Sequence, residues 1–100
     1  HHLGVIDCLE AALSCPWQAY LAWIATLEEG SVARRKMEGV PKYGEIVIDS
    51  NHVAMLANAF DKAQARQTPE QQAWSKTLLS MLHDIHQESA IYLMVRRLRD

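Results

Sequence analysis

The chain has 100 residues and a formal net charge of −2; 49% of its residues are apolar and 22% are charged. This length allows one domain with a single modest core, and the balance is that of a folded globular protein rather than a disordered one. The small net charge gives no sign of a nucleic-acid or membrane-surface protein. No apolar run approaches the roughly 18 residues of a membrane span. We therefore expect one domain over residues 3–100, with residues 1–2 the end of an affinity tag.

The first segment is predicted to be an amphipathic helix that ends near Ser14, because Pro16 disfavours helical geometry at the preceding residue. Its apolar stripe consists of Val5, Ile6, Leu9, Ala12 and Leu13. Cys8 and Cys15 would lie about 10.5 Å apart along this helix, beyond the roughly 7 Å limit for a disulfide. We expect reduced, buried cysteines and therefore a cytoplasmic protein.

A second helix is predicted after Pro16, and Gly30 ends it. The core stripe of this helix consists of Trp17, Tyr20, Leu21, Ile24 and Leu27. Trp23 lies off that stripe, so the helix is apolar on more than one side. Ser31 is a candidate N-cap for a short third helix, Val32 to Glu38.

A loop is predicted at Gly39, Pro41 and Gly44. Residues 45–49 form the one β-branched run and the one strand candidate. A lone strand leaves its backbone hydrogen-bonding groups unpaired. It either pairs with its copy across a symmetry axis or forms an extended buried linker, and we favour the linker.

Two further helices complete the prediction. One spans about 51–66, and the other begins at a capping box formed by Thr68 and Gln71 and continues over roughly 69–98. The fold class is therefore predicted to be all-α, a small helical bundle of four to five helices with one long C-terminal helix. Its core is predicted to include Trp74, Leu78, Ile85, Leu56 and Phe60.

No arrangement typical of catalysis or of a bound cofactor is present in the sequence. His83 and His86 have a spacing that could hold a metal ion, but no third or fourth ligand is clustered with them. Cys15 lies among apolar residues, and burial in apolar surroundings raises the pKa of a thiol. No oxyanion loop accompanies it, so Cys15 is not predicted to be a catalytic nucleophile. The glycines are scattered, so no phosphate-binding loop is formed. We predict a protein that is not an enzyme and holds neither metal nor cofactor; a small metal-dependent enzyme is the least favoured alternative.

Two basic clusters, residues 34–36 and the arginines of residues 96–99, form only a thin basic surface. No helix-turn-helix signature accompanies them, and arginines in the last turn of a helix complement its dipole. These features argue against nucleic acid as the main partner. A small DNA-binding or phage-type accessory regulatory protein remains the alternative function.

The segment 90–95 is apolar around the whole circumference of the predicted long helix. Since consecutive residues are 100° apart, five of them cannot all face one groove of a small domain, so some must contact another chain. We predict self-association as a homodimer and binding of a protein partner through this surplus surface. The candidate partner-binding residues are Tyr92, Met94, Val95 and Leu98, with Arg96 and Arg97 at the rim, and Trp17, Tyr20 and Trp23.

The size of the chain, its helical pattern and the segment CLEAALSCPWQAY at residues 8–20 resemble the small helical anti-activators of bacterial quorum sensing, the QslA type. This resemblance implies a non-enzymatic regulator. It would bind the ligand-binding domain of a LuxR-type transcription regulator, such as LasR, and block its dimerisation and DNA binding. A compact module with surplus apolar surface and no catalytic group suits such an inhibitor.

Overall fold

The computed structural model describes residues 2–7 and 10–98, with side chains over residues 15–97. Within these ranges the chain forms four strands and five α-helices. In chain order they are β1 (His2–Asp7), β2 (Glu10–Pro16), α1 (Trp17–Ile24), α2 (Val32–Met37), α3 (Gly39–Tyr43), β3 (Glu45–Ile48), α4 (Val53–Ala63), α5 (Pro69–Gln87) and β4 (Leu93–Leu98). A short 3₁₀ turn, Gln64–Arg66, joins α4 to α5.

The strands form one antiparallel sheet in the order β2-β1-β4-β3. The all-α prediction is therefore wrong, and the protein is a mixed α/β domain. The two ends of the chain meet at the centre of the sheet, where β1 pairs with β4 along its length. β1 and β4 lie about 90 residues apart in the sequence, and each is stabilised by pairing with the other. Local hydrophobic periodicity therefore does not reveal this pairing.

The predicted first helix is replaced by a β-hairpin. β1 pairs with β2 from His2 opposite Pro16 to Asp7 opposite Glu10, with a register irregularity between Val5 and Ile6. The apolar residues of this segment have a spacing that also fits a helix. The segment is nevertheless extended, because β1 pairs with both β2 and β4. The helical argument against a disulfide consequently no longer applies, and Cys8 lies outside the described residues.

The predicted long helix over 69–98 is also wrong in its last third. α5 ends at Gln87, and Glu88 is extended with φ −135° and ψ 91°. The apolar segment that follows becomes β4, the strand between β1 and β3. Leu93 and Val95 are buried while Met94 is half-buried and Arg96 is exposed. An apolar run that could not be placed on one helix face is therefore accommodated by the alternation of a strand.

Residues 45–48 form a strand whose partner lies in the same chain. β3 pairs with β4, from Glu45 opposite Arg96 to Ile48 opposite Leu93. Neither predicted alternative, a copy across a symmetry axis or a linker, describes this segment. Gly39, predicted to lie in a loop, begins α3, and a Cβ atom there would approach Cγ2 of Ile46 to 2.6 Å.

The core lies between the helices and one face of this sheet. Ile46, Ile48, Leu93 and Val95 are buried and belong to the same cluster as the helix side chains. α4 and α5 pack against each other. Four of the five predicted core residues, Leu56, Phe60, Leu78 and Ile85, are fully buried, and Trp74 packs against them half-buried.

The predicted helix starts after the first segment are largely confirmed. The Ser31 hydroxyl accepts a hydrogen bond from the Arg34 backbone N–H at the start of α2. Thr68 and Gln71 form the complete capping box that opens α5. α1, however, ends at Ile24, before the predicted stop at Gly30, whose φ of 80° is in the left-handed region.

Candidate functional site

The predicted partner-binding residues near the C-terminus lie on the sheet rather than on a helix. Val95 is fully buried, whereas Met94 is half-buried and Arg96 exposed. Tyr92 precedes β4 and is 44% exposed. The helical reason for choosing these residues is therefore wrong, although Tyr92, Met94 and Arg96 do have accessible side chains. Leu98 is the last residue of β4, and its side chain lies outside the described part.

Arg97 interacts with α1 across the edge of the core. Its guanidinium lies 4.3 Å from the centroid of the Trp17 ring, a cation–π contact. This geometry holds an exposed arginine against a nearly buried aromatic ring. Arg97 therefore links the last strand to the first helix.

Trp17, Tyr20 and Trp23 belong to the core. The rings of Trp17 and Tyr20 stack at 5.8 Å, and Tyr20 meets Trp23 edge-on at 6.2 Å. Trp23 in turn contacts Phe60 at 5.1 Å and Trp74 at 5.8 Å. These three candidate partner-binding residues therefore lie in an internal aromatic cluster.

A circuit of buried and half-buried polar groups surrounds Trp23. The indole N–H of Trp23 donates to Ser75 Oγ at 3.0 Å, and the Ser75 hydroxyl donates to Gln67 Oε1 at 2.7 Å. The Gln67 amide donates to Thr26 Oγ1 at 3.0 Å, and the Thr26 hydroxyl donates to the Trp23 carbonyl at 2.6 Å. The circuit begins and ends at Trp23, so these polar groups satisfy one another.

The thiol and imidazole groups do not assemble into a reactive or metal-binding cluster in the described part of the chain. Cys15 is a buried free thiol, and burial, with a smaller contribution from Glu70, raises its pKa from 9.0 to about 11. His83 and His86 are both exposed. No group of three or more His, Cys, Asp or Glu suited to a metal ion occurs among the residues described.

A groove of about 420 Å³ lies between α2 and α4. Its wall residues are Glu28, Ser31, Val32, Ala33, Met55, Asn58, Ala59, Lys62 and Arg66. Its volume falls within the roughly 300–1,000 Å³ of small-ligand pockets. No pattern in the sequence predicted this groove, because a groove formed by two helices that are distant in the sequence has no motif. The structure shows Val32 exposed on α2, a helix of six residues, and nothing in the sequence predicted that exposure.

The chain folds into a small mixed α/β domain with a groove between two of its helices. The chain matches the model of the family described as formate hydrogenlyase maturation protein HycH over residues 1–97. It therefore belongs to the HycH family. The match begins at residue 1, and His2 lies in β1.

Curated relatives agree with this assignment. The chain is 85% identical over 100 residues to the formate hydrogenlyase maturation protein HycH of Escherichia coli K12, covering all of this chain and 74% of that protein. The same values hold for HycH of E. coli O157:H7. It is 49% identical to hydrogenase-4 component J of E. coli K12, covering 98% of this chain and 71% of that protein. No solved structure matches the chain.

These comparisons correct the functional expectations. The resemblance to quorum-sensing anti-activators was wrong, and so was the LuxR-type regulator inferred from it as the partner; the segment 8–20 that suggested it belongs to a HycH-family sequence. The alternative of a DNA-binding or phage-type accessory protein likewise finds no support. Among the described residues, no helix is long and apolar enough to cross a membrane.

Proposed function

We propose that this protein acts in the maturation of a formate hydrogenlyase. The observation that carries the proposal is the 85% identity over 100 residues to a protein named for that role. Identity at this level over the whole chain favours a role in maturing the same kind of complex, a formate hydrogenlyase, as its relative. The 49% identity to a hydrogenase-4 component points in the same direction, toward hydrogenase systems generally.

The mode of action that we propose is binding rather than catalysis. The buried Cys15 thiol has its pKa raised to about 11 and is therefore protonated near neutral pH, unsuited to nucleophilic attack. The polar groups around Trp23 hydrogen-bond to one another. The groove between α2 and α4, in contrast, combines apolar and charged side chains at an accessible surface.

The partner is then a component of the formate hydrogenlyase while that complex is being assembled. We place this encounter in the cytoplasm, where a newly synthesised component is first available. The maturation protein would hold the immature component until a later step of assembly.

A complementation experiment tests the proposal. An E. coli strain lacking its own HycH is supplied with the complete reading frame that carries these residues, and hydrogen evolved from formate is measured. We expect hydrogen evolution to return to near the level given by the E. coli protein. Failure at equal protein abundance, with the E. coli gene restoring activity in parallel, would refute the proposed function. Hydrogenase-4 component J serves as the matched control for specificity.

A further inference from the structure

We propose that the groove between α2 and α4 binds an extended peptide segment of the maturing component, one that combines apolar and acidic side chains. This proposal rests on the proposed function and adds to it the binding surface and the chemistry of the segment recognised. Three features of the groove support it: an apolar floor, a net positive charge and the spacing of its apolar and basic side chains along α4.

The floor of the groove is apolar and faces accessible space. Ala33 is buried beneath it, and Met55 and Ala59 are partly buried against the core. Val32 at its border is 63% exposed, the second highest exposure among the large hydrophobic residues with described side chains. Apolar side chains of a bound peptide would cover this exposed surface, which contributes favourably to binding.

The charge of the groove is opposite to that of the chain. Lys62 and Arg66 contribute two positive charges and Glu28 one negative charge, a balance of +1 in a chain of net charge −2. An acidic ligand is therefore attracted to this surface although the protein as a whole is acidic.

The two cations retain hydrogen-bond donors for a ligand. Lys62 makes no ion pair with any residue in the described ranges. Arg66 is fixed by donating through Nε and one Nη to the Thr26 carbonyl at 3.0 and 2.8 Å. A guanidinium has five N–H groups, so further donors remain for a carboxylate. Arg34, by comparison, is already engaged by Glu38 at 3.5 Å and by the Leu27 carbonyl.

The layout of the groove favours a peptide over a small anion. Met55 and Lys62 lie seven positions apart on α4, about 10 Å along the helix axis. An extended chain covers this distance with about three residues. A free anion such as formate or phosphate would contact the Lys62 and Arg66 end and leave the apolar floor uncovered.

Binding is tested first with synthetic probes. A fluorescein-labelled short peptide that alternates leucine and aspartate is titrated with the purified protein, and fluorescence anisotropy is followed. Matched peptides replace aspartate by asparagine or by lysine, and unlabelled formate and phosphate are added as competitors. We expect the aspartate peptide to bind at least tenfold more tightly than the other two. Equal affinity for the three peptides, no binding, or full displacement by phosphate at low millimolar concentration would overturn the proposal.

Variants locate the binding to the groove. Lys62→Glu reverses a charge inside it, and Lys76→Glu makes the same change at an exposed position of α5 outside it. We expect Lys62→Glu to weaken binding of the aspartate peptide at least tenfold and Lys76→Glu to change it less than twofold. Val32→Asp, also at an exposed position, should weaken binding similarly. Equal effects of Lys62→Glu and Lys76→Glu would contradict the assignment.

The complementation assay separates this proposal from the proposed function. If the unmodified protein restores hydrogen evolution and Lys62→Glu and Val32→Asp do so equally well, the maturation function stands and the groove assignment fails. If the unmodified protein does not restore it, the function itself fails. Loss with Lys62→Glu and Val32→Asp but not with Lys76→Glu, at equal abundance, supports both.

Discussion

The indole N–H of Trp23 donates a hydrogen bond of 3.0 Å to the hydroxyl of Ser75, a residue 52 positions later in the chain. Ser75 is fully buried, and its hydroxyl donates a hydrogen bond to Gln67 Oε1. The small Ser75 side chain thus provides the hydrogen-bond partner for both the Trp23 N–H and the Gln67 oxygen, where α1 meets α5. A buried network of this kind stabilises the fold only while every member has its partner.

Ser75→Ala should therefore be costly. It leaves the Trp23 N–H without its acceptor and the Gln67 oxygen without its donor, and each unsatisfied buried group costs about 1–3 kcal/mol. We expect a loss of at least about 2 kcal/mol in the free energy of unfolding, measured by urea denaturation. Ser80→Ala, at an exposed position of the same helix, should change it by less than about 0.5 kcal/mol. Equal losses would show that the circuit contributes nothing specific.

The contact between Arg97 and Trp17 predicts a smaller effect. Arg97→Met removes the cation that lies 4.3 Å from the ring centroid but keeps a long apolar side chain over it. We expect a destabilisation of about 0.5–1 kcal/mol in urea unfolding, the usual range for a cation–π contact at an exposed site. Arg96→Met is the matched control because Arg96 is the exposed neighbour on the same strand. A larger loss from Arg96→Met than from Arg97→Met would contradict this interpretation.

Gly39 is predicted to be intolerant of a side chain. A Cβ there would lie 2.6 Å from Ile46 Cγ2, so Gly39→Ala forces α3 and β3 apart. Overpacking of this kind typically costs about 1–3 kcal/mol, and we expect a loss in that range. Ile46→Leu removes the Cγ2 branch and should recover part of the loss in a double variant, whereas Ile46→Val retains that atom and should not. Equal recovery by both would show that the contact is not the cause.

Local signals in the sequence were reliable where local chemistry decides the structure. The Thr68 capping box and the Ser31 N-cap are each formed by residues three apart, so their hydrogen bonds can be anticipated without the fold. The apolar stripe of α4 likewise identifies Leu56 and Phe60 as core residues. These features were predicted correctly.

The sheet could not be predicted from the same patterns. Helical spacing in the first segment also fits strands of a hairpin, and nothing near Glu88 marks the end of α5, since no Gly or Pro follows. Pairing of β1 with β4 joins the two ends of the chain, and only this distant contact makes both segments extended. The groove was missed for a related reason: Val32 and Met55 come together through packing and carry no common motif.

Alkaline pH should destabilise the protein through Cys15 and Tyr20. Burial is the main cause that raises the pKa of Cys15 from 9.0 to about 11, and burial also raises the pKa of Tyr20 above its ordinary value of 10. Both groups are charged when deprotonated. Between pH 9 and 11 the unfolded chain releases these protons while the folded chain retains them, so the folded state binds more protons. The free energy of unfolding is therefore unaffected by these two groups below about pH 9, and it decreases as the pH rises above that value.

Cys15→Ala isolates the contribution of the thiol. At neutral pH the variant differs from the unmodified protein by the loss of buried sulfur packing alone, because the thiol is protonated in both the folded and the unfolded chain. At roughly pH 10 the unmodified protein additionally loses stability as the unfolded chain ionises. We expect the difference in free energy of unfolding between the two proteins, measured in urea at both pH values, to be smaller at the higher pH. A difference that stays constant would show that the pKa of Cys15 is ordinary in the folded protein, and one that grows with pH would show that it is lowered; either result would contradict the raised pKa.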